Sequence, residues 1–269
     1  MLKSLLARLQ QGHRTIAWPD GPPPPLPDRF RGSPALDPTR CPDGCKACAN
    51  ACPTGAIDLA AGCIDLGRCL FCPDCVEACP AGALHHETAF SLAARSRKDL
   101  QRPFAAVPAV GVDAPSSVDF RPRFAALDAA RRRLFGRSLK LRQVSAGGCN
   151  GCEADINVLG TIGWDLGRFG IQLVASPRHA DGLLITGPVT ENMRTALLDT
   201  YAAVPDPKIV VAVGACAISG GPYIDRPETH NGASQFVPVD LFIPGCPPHP
   251  LTILDGLLQL LGRLESRVR

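Results

Sequence analysis

The stretch Leu139-Lys140-Leu141-Arg142-Gln143-Val144-Ser145-Ala146-Gly147-Gly148-Cys149-Asn150-Gly151-Cys152 decides the reading of the chain. Its first half alternates apolar and polar residues as a strand does, and it runs straight into a glycine-rich turn carrying two cysteines. The same texture continues downstream. Short apolar runs at 171–175, 182–186, 208–213 and 239–243 alternate with helical segments at 154–169, 191–203 and 251–264. That rhythm predicts a parallel sheet covered by helices, in which ligands sit beyond the carboxyl ends of the strands. Cys149 and Cys152 follow the first strand, Cys216 the 208–213 strand and Cys246 the 239–243 strand. Four thiols far apart in sequence are thereby predicted on one rim, and Gly147, Gly148, Gly151, Gly214 and Gly245 permit the tight loops this needs.

Upstream the cysteines come in runs. Cys41-x3-Cys45-x2-Cys48-x3-Cys52-Pro53 precedes Cys69-x2-Cys72-x2-Cys75-x3-Cys79-Pro80, and residues 49–57 repeat as 76–84. Two copies of one unit predict a two-fold module whose halves are too poor in apolar residues to bury cores of their own. The second run is the bacterial iron-sulfur spacing, in which the last cysteine of each run serves the other cluster. The expected sets are Cys41, Cys45, Cys48 and Cys79, and Cys69, Cys72, Cys75 and Cys52. A zinc module would show separated cysteine pairs instead. Cys63 stands outside both runs and reads as a spectator, leaving twelve of the 13 cysteines in three sets of four.

With 269 residues, 45% of them hydrophobic, the chain can build a substantial core. A net charge of +3 gives no reason to expect nucleic acid, but the charge is unevenly placed: residues 41–87 carry a net −4 and residues 119–142 a net +6. The pattern fits an acidic module joined to a basic connector within an assembly. No stretch has the pattern of a signal peptide or a membrane span, so exported disulfide chemistry loses ground to metal ligation. Leu2, Leu5, Leu6 and Leu9 predict a short amphipathic helix, followed by a proline-rich arm over 18–27. A helix is expected over 89–100, a linker over 101–117 and a basic helix over 128–135. No HExxH, Walker or dinucleotide-binding motif is present.

Residues 30 to about 98 resemble the two-[4Fe-4S] ferredoxin module of the complex I and formate hydrogenlyase lineages. Residues 138–262 resemble the small subunit of membrane-bound, energy-converting [NiFe]-hydrogenases and the cluster-bearing quinone-site subunit of respiratory complex I. The segments carrying the second resemblance are 145–153, 176–181, 186–190, 212–217 and 243–248. The Cys149-x2-Cys152 spacing looks like the hydrogenase branch, since the complex I subunit has adjacent cysteines there.

The resemblance implies an α/β chain in four parts: a helix and arm (1–29), a bacterial-type ferredoxin domain (30–100), a linker with a basic helix (101–137) and a flavodoxin-like domain (138–269). It implies a third [4Fe-4S] cluster on Cys149, Cys152, Cys216 and Cys246, with Arg178 tuning it. Asp155 or Glu153 would relay protons, or else help to cap the following helix. It further implies a large catalytic partner of the hydrogenase or complex I 49 kDa type, additional membrane subunits, no nucleic acid, and a peripheral place on the cytoplasmic side of the inner membrane. The expected role is an electron-transfer subunit relaying through three [4Fe-4S] clusters. The alternatives are a complex I-like subunit or a subunit of a hydrogenase-related complex lacking nickel. A free ferredoxin-like carrier would leave the second domain unexplained, and a non-turnover regulator is the third class.

Overall fold

A computed structural model describes residues 2–104, 127–136 and 138–264. The chain opens with α1 (Leu2–Gln11), followed by β1 (Pro34–Leu36), α2 (Ala47–Ala51), β2 (Ile57–Asp58), β3 (Cys63–Asp65), α3 (Asp74–Glu77), β4 (Leu84–His86) and β5 (Gln101–Pro103). After α4 (Ala129–Phe135), the remaining elements alternate: β6 (Leu139–Ser145), α5 (Gly151–Val158), β7 (Ile171–Leu173), β8 (Gly182–Thr186), α6 (Glu191–Ala203), β9 (Ile209–Val213), α7 (Ala215–Ser219), β10 (Leu241–Ile243) and α8 (Pro250–Leu260).

Strands β6 to β10 form the predicted parallel sheet, in the order β7-β6-β8-β9-β10. Chain order therefore reverses about β6, which is the flavodoxin-like arrangement, and the loops after β6 and β8 flank the resulting crevice. The sheet is sandwiched between helices. Leu139, Leu141, Val211 and Ile243 face α8, whereas Val144, Leu183, Ile185 and Val210 face α6. Helix α8 is buried all round, and Trp18 and Phe90 belong to the same apolar cluster.

In the N-terminal part β1 pairs with β4, and β3 lies between β2 and β5, all antiparallel. The sequence repeat is visible as a backbone unit. The Ala56 N–H donates to the Cys52 sulfur and the Ala83 N–H to the Cys79 sulfur, each at 3.2 Å. Gly55 and Gly82 occupy the matching turns at φ of 59° and 55°. The expected bacterial-type two-[4Fe-4S] ferredoxin domain over 30–100 is nevertheless corrected: among the described residues no group of three or more His, Cys, Asp or Glu side chains comes together to hold a metal ion. An apolar core does the joining instead. Leu66, Phe71 and Leu100 pack in one cluster with Ala212, Ile218 and Phe242 of the parallel-sheet region.

The expected helix over 89–100 is also corrected. Residues 89–93 have no regular secondary structure, Ala94 bridges Phe242, and only Lys98–Leu100 makes a helical turn, of the 3-10 kind. Phe90, Leu92, Ala93 and Ala94 all face buried surroundings, so packing on both sides overrides local helix propensity. Most of the expected linker (105–117) and part of the basic stretch (119–126 and 137) lie outside the described residues. Of the basic residues, Arg131 pairs with Asp240 at 3.1 Å, which ties α4 to the turn before β10.

Candidate functional site

The carboxyl rim of the sheet is built from four loops, stitched in pairs by backbone hydrogen bonds. After β6, Ala146 donates to Thr186 O at 2.8 Å and accepts from the Thr190 N–H at 3.1 Å. After β9, the Ala215 N–H reaches Gly245 O at 2.8 Å, so the Cys216 loop is fastened to the Cys246 loop. Gly214, at φ 89°, has room only for hydrogen, because a Cβ there would lie 2.5 Å from the Cys152 sulfur. Gly187 at φ 81° plays the same part between the first two loops: a Cβ would meet the Gly148 nitrogen at 2.6 Å. Gly187→Ala is expected to cost roughly 2–4 kcal/mol in chemical denaturation, since backbone strain and a backbone clash add together. A change below about 0.5 kcal/mol would show that the loops are not clamped there.

The four thiols predicted on this rim do share it. Cys149 and Cys246 are exposed, Cys152 is half-buried and Cys216 is buried. Burial pushes the Cys216 thiol up to about 12, with Cys246 and Cys149 adding to the shift; burial likewise raises Cys152. In the N-terminal part, Cys52, Cys69, Cys72 and Cys75 line one small cavity. Burial raises Cys69 to about 12 and Cys75 to about 11 there. Burial also raises Cys48, helped by Cys41 and Cys79.

Sharing a neighbourhood is not the same as closing on a common point. All 13 cysteines are free thiols, and among the described residues no three side chains of metal-binding type converge as an ion's ligands do. The expected three [4Fe-4S] clusters are corrected on that finding, both for the two N-terminal sets and for Cys149, Cys152, Cys216 and Cys246. The physical reason is that sequence spacing decides which loops carry the thiols, while the separation of the sulfurs is set by the packing of those loops.

Glu153 and Asp155, one helical turn into α5, are in different environments. Glu153 is 5% exposed and its Oε1 accepts from Ser145 Oγ and Thr186 Oγ1, both at 2.6 Å. Burial alone would raise its pKa, but these two hydrogen bonds outweigh burial and hold the carboxyl below its usual range. The carboxylate thus ties α5 to the ends of β6 and β8. Asp155 is raised by burial and faces a cleft of about 290 Å³ between the arm and the rim, alongside Arg29, Phe71 and Cys246. Arg178 is exposed on the 3-10 turn Pro177–His179 after β7, the edge strand on the far side from β10.

His249 is a further residue of this site, one that the sequence alone did not single out. Its Nδ1 accepts from the Leu251 N–H at 3.2 Å, capping α8, and its ring lies edge-on to Phe30 and Trp164. Burial lowers its pKa. A polar residue directly before Pro250 was the signal that could have found this cap. Arg31 was missed as well: its Nε donates to Phe71 O at 2.6 Å, locking the arm to the N-terminal cysteine module.

A flavodoxin-like sheet whose cysteine-bearing loops after the first, fourth and fifth strands meet on one rim defines a class of oxidoreductase subunit. Comparison with known proteins agrees. The family model described as NADH ubiquinone oxidoreductase, 20 Kd subunit, matches residues 149–260, from the first rim cysteine to the end of α8. The chain is 43% identical over 137 residues to the Probable membrane-bound hydrogenase subunit mbhJ of Pyrococcus furiosus, covering 51% of this chain and 82% of that protein. It is 43% identical over 158 residues to Formate hydrogenlyase subunit 7 of Escherichia coli, covering 59% and 61%. To an NADH-quinone oxidoreductase subunit of Carboxydothermus hydrogenoformans it is 40% identical over 116 residues, covering 43% and 70%. The chain belongs to this family of hydrogenase and quinone oxidoreductase subunits. Among the described residues no helix is long and apolar enough to cross a membrane.

Proposed function

We propose that the chain is a peripheral subunit of a membrane-associated oxidoreductase complex, of the complex I-like kind or of the hydrogenase-related kind that lacks nickel. In this reading the rim bearing Cys149, Cys152, Cys216 and Cys246 faces a large partner subunit of the complex I 49 kDa or hydrogenase type. The observation that carries it is the exposure of Cys149 and Cys246 at the carboxyl end of a parallel sheet, inside the segment that the family model matches. Cysteine is among the most buried residue types, so two exposed ones on clamped loops mark a surface that another chain covers. Arg178 is carried forward as a partner-facing group on the same reading, and Asp155 as a proton-relay carboxylate.

Affinity capture of the tagged full chain from its native host tests this. A large subunit of that type is expected at a one-to-one ratio without stoichiometric nickel, and Cys149 and Cys246 should alkylate quickly in the free chain but be protected in the complex. Recovery of the chain alone, or equal alkylation in both states, would remove the rim as the docking face. Stoichiometric nickel would move the reading to a hydrogenase proper.

A further inference from the structure

Among the described residues nothing covers the apolar face of helix α1. Leu5, Leu6 and Leu9 are 57%, 50% and 77% exposed, although three leucines on one short helix would ordinarily be buried. At 100° per residue they occupy an arc of about 100°, with Lys3 and Arg8 each about 60° beyond its two edges. Both cations are exposed, and Ser4 and Gln11, also exposed, lie on the opposite side. Residues 1–19 contain Lys3, Arg8 and Arg14 and no Asp or Glu. An apolar stripe flanked by cations is the pattern of a helix lying in the plane of a lipid surface.

A second apolar group stands beside the helix. Thr15 Oγ1 donates to Ile162 O and the Ile16 N–H to Gly163 O, both at 2.9 Å, so the chain is pinned to the 161–163 loop just after α1. The four steps from Gln11 to Thr15 span at most ~14 Å, which keeps the end of α1 close to that loop. Ile162 is itself 74% exposed. Arg14 and His13, also exposed, lie between the two apolar groups.

We propose that α1 and the 161–163 loop form a direct contact with an anionic bilayer, the leucines and Ile162 entering the headgroup boundary and Lys3, Arg8 and Arg14 meeting lipid phosphates. The contact does not depend on the identity of the large partner. It gives the chain an attachment to the membrane of its own, besides whatever its partners provide.

The test is sedimentation of the full chain with vesicles of phosphatidylcholine alone and of phosphatidylcholine with roughly one-third phosphatidylglycerol. Binding is expected on the anionic vesicles, and it should weaken as salt rises. The triple variant Leu5→Ser, Leu6→Ser, Leu9→Ser should lose more than about tenfold in partitioning. Lys3→Glu with Arg8→Glu should lose about tenfold or more on anionic vesicles. Ile162→Ser should lose roughly two- to fivefold. Leu173→Ser, a 37% exposed residue on the edge strand β7 outside the proposed contact, should bind as the parent does. Equal binding to both vesicle types, no binding to either, or unchanged binding by the leucine variant would overturn the proposal. So would a leucine variant that keeps its vesicle affinity but fails to co-purify with other subunits, which would make α1 a protein-docking helix.

Discussion

Glu153→Ala should destabilise the chain by about 3 kcal/mol in chemical denaturation, because two hydrogen bonds to a charged acceptor are lost at once. Thr186 is fully buried and keeps only a longer bond to Val144 O at 3.3 Å, whereas Ser145 is exposed and can turn to water. Most of the loss therefore falls on the β8 side. Glu153→Gln retains an acceptor oxygen in the same place and should recover more than half of the stability. Glu153 ties the loop between β6 and α5 to both strand ends, so alkylation of Cys149 should speed up in the alanine variant and not in the glutamine one. An alanine variant within about 0.5 kcal/mol of the parent would show that the carboxylate does not anchor α5.

Phe242→Ala is expected to have the larger effect on stability, about 3–5 kcal/mol, the usual cost of removing a buried aromatic ring. At this chain length that corresponds to a fall in melting temperature on the order of 10 °C. The ring lies in the cluster where Leu66 and Leu100 of the N-terminal part meet Ile218 of the C-terminal part. The decisive observation is the shape of the transition. One cooperative step, moved as a whole by the substitution, is expected from a shared core. Two steps, with only the later one moved, would show that the parts fold separately.

The parallel sheet was legible because β6 alternates apolar and polar residues and the later strands are short apolar runs near glycine or proline, and β6, β8 and α6 fall where those patterns place them. The rim was legible for the same reason, since Cys149, Cys216 and Cys246 each follow such a run. Cofactor content was not legible: the runs at 41–52 and 69–79 name the loops that carry thiols, but sulfur separations belong to tertiary packing. Residues 89–100 misled because Ala93, Ala94 and Leu100 favour helix locally, and nothing nearby in sequence announces that Phe242 will pair with Ala94. Glu153 shows the same limit. Its position after Cys152 fits a relay or a capping role, and only the arrival of Thr186 from 33 positions away favours the anchoring one.

The pairing of Ala94 with Phe242 also bears on how the chain behaves in a crowded solution. β10 is the outermost strand of the parallel sheet, and a bare outer strand offers unpaired N–H and C=O groups to any neighbouring chain. Ala94 accepts from the Phe242 N–H at 2.8 Å and donates back to Phe242 O at 3.0 Å, occupying that margin with the chain's own backbone. The opposite margin, β7, is protected by brevity, being only three residues long. The segment leading out of the cysteine repeat thus acts as a selvedge: it finishes the cloth of the sheet on the side where it would otherwise fray into self-association.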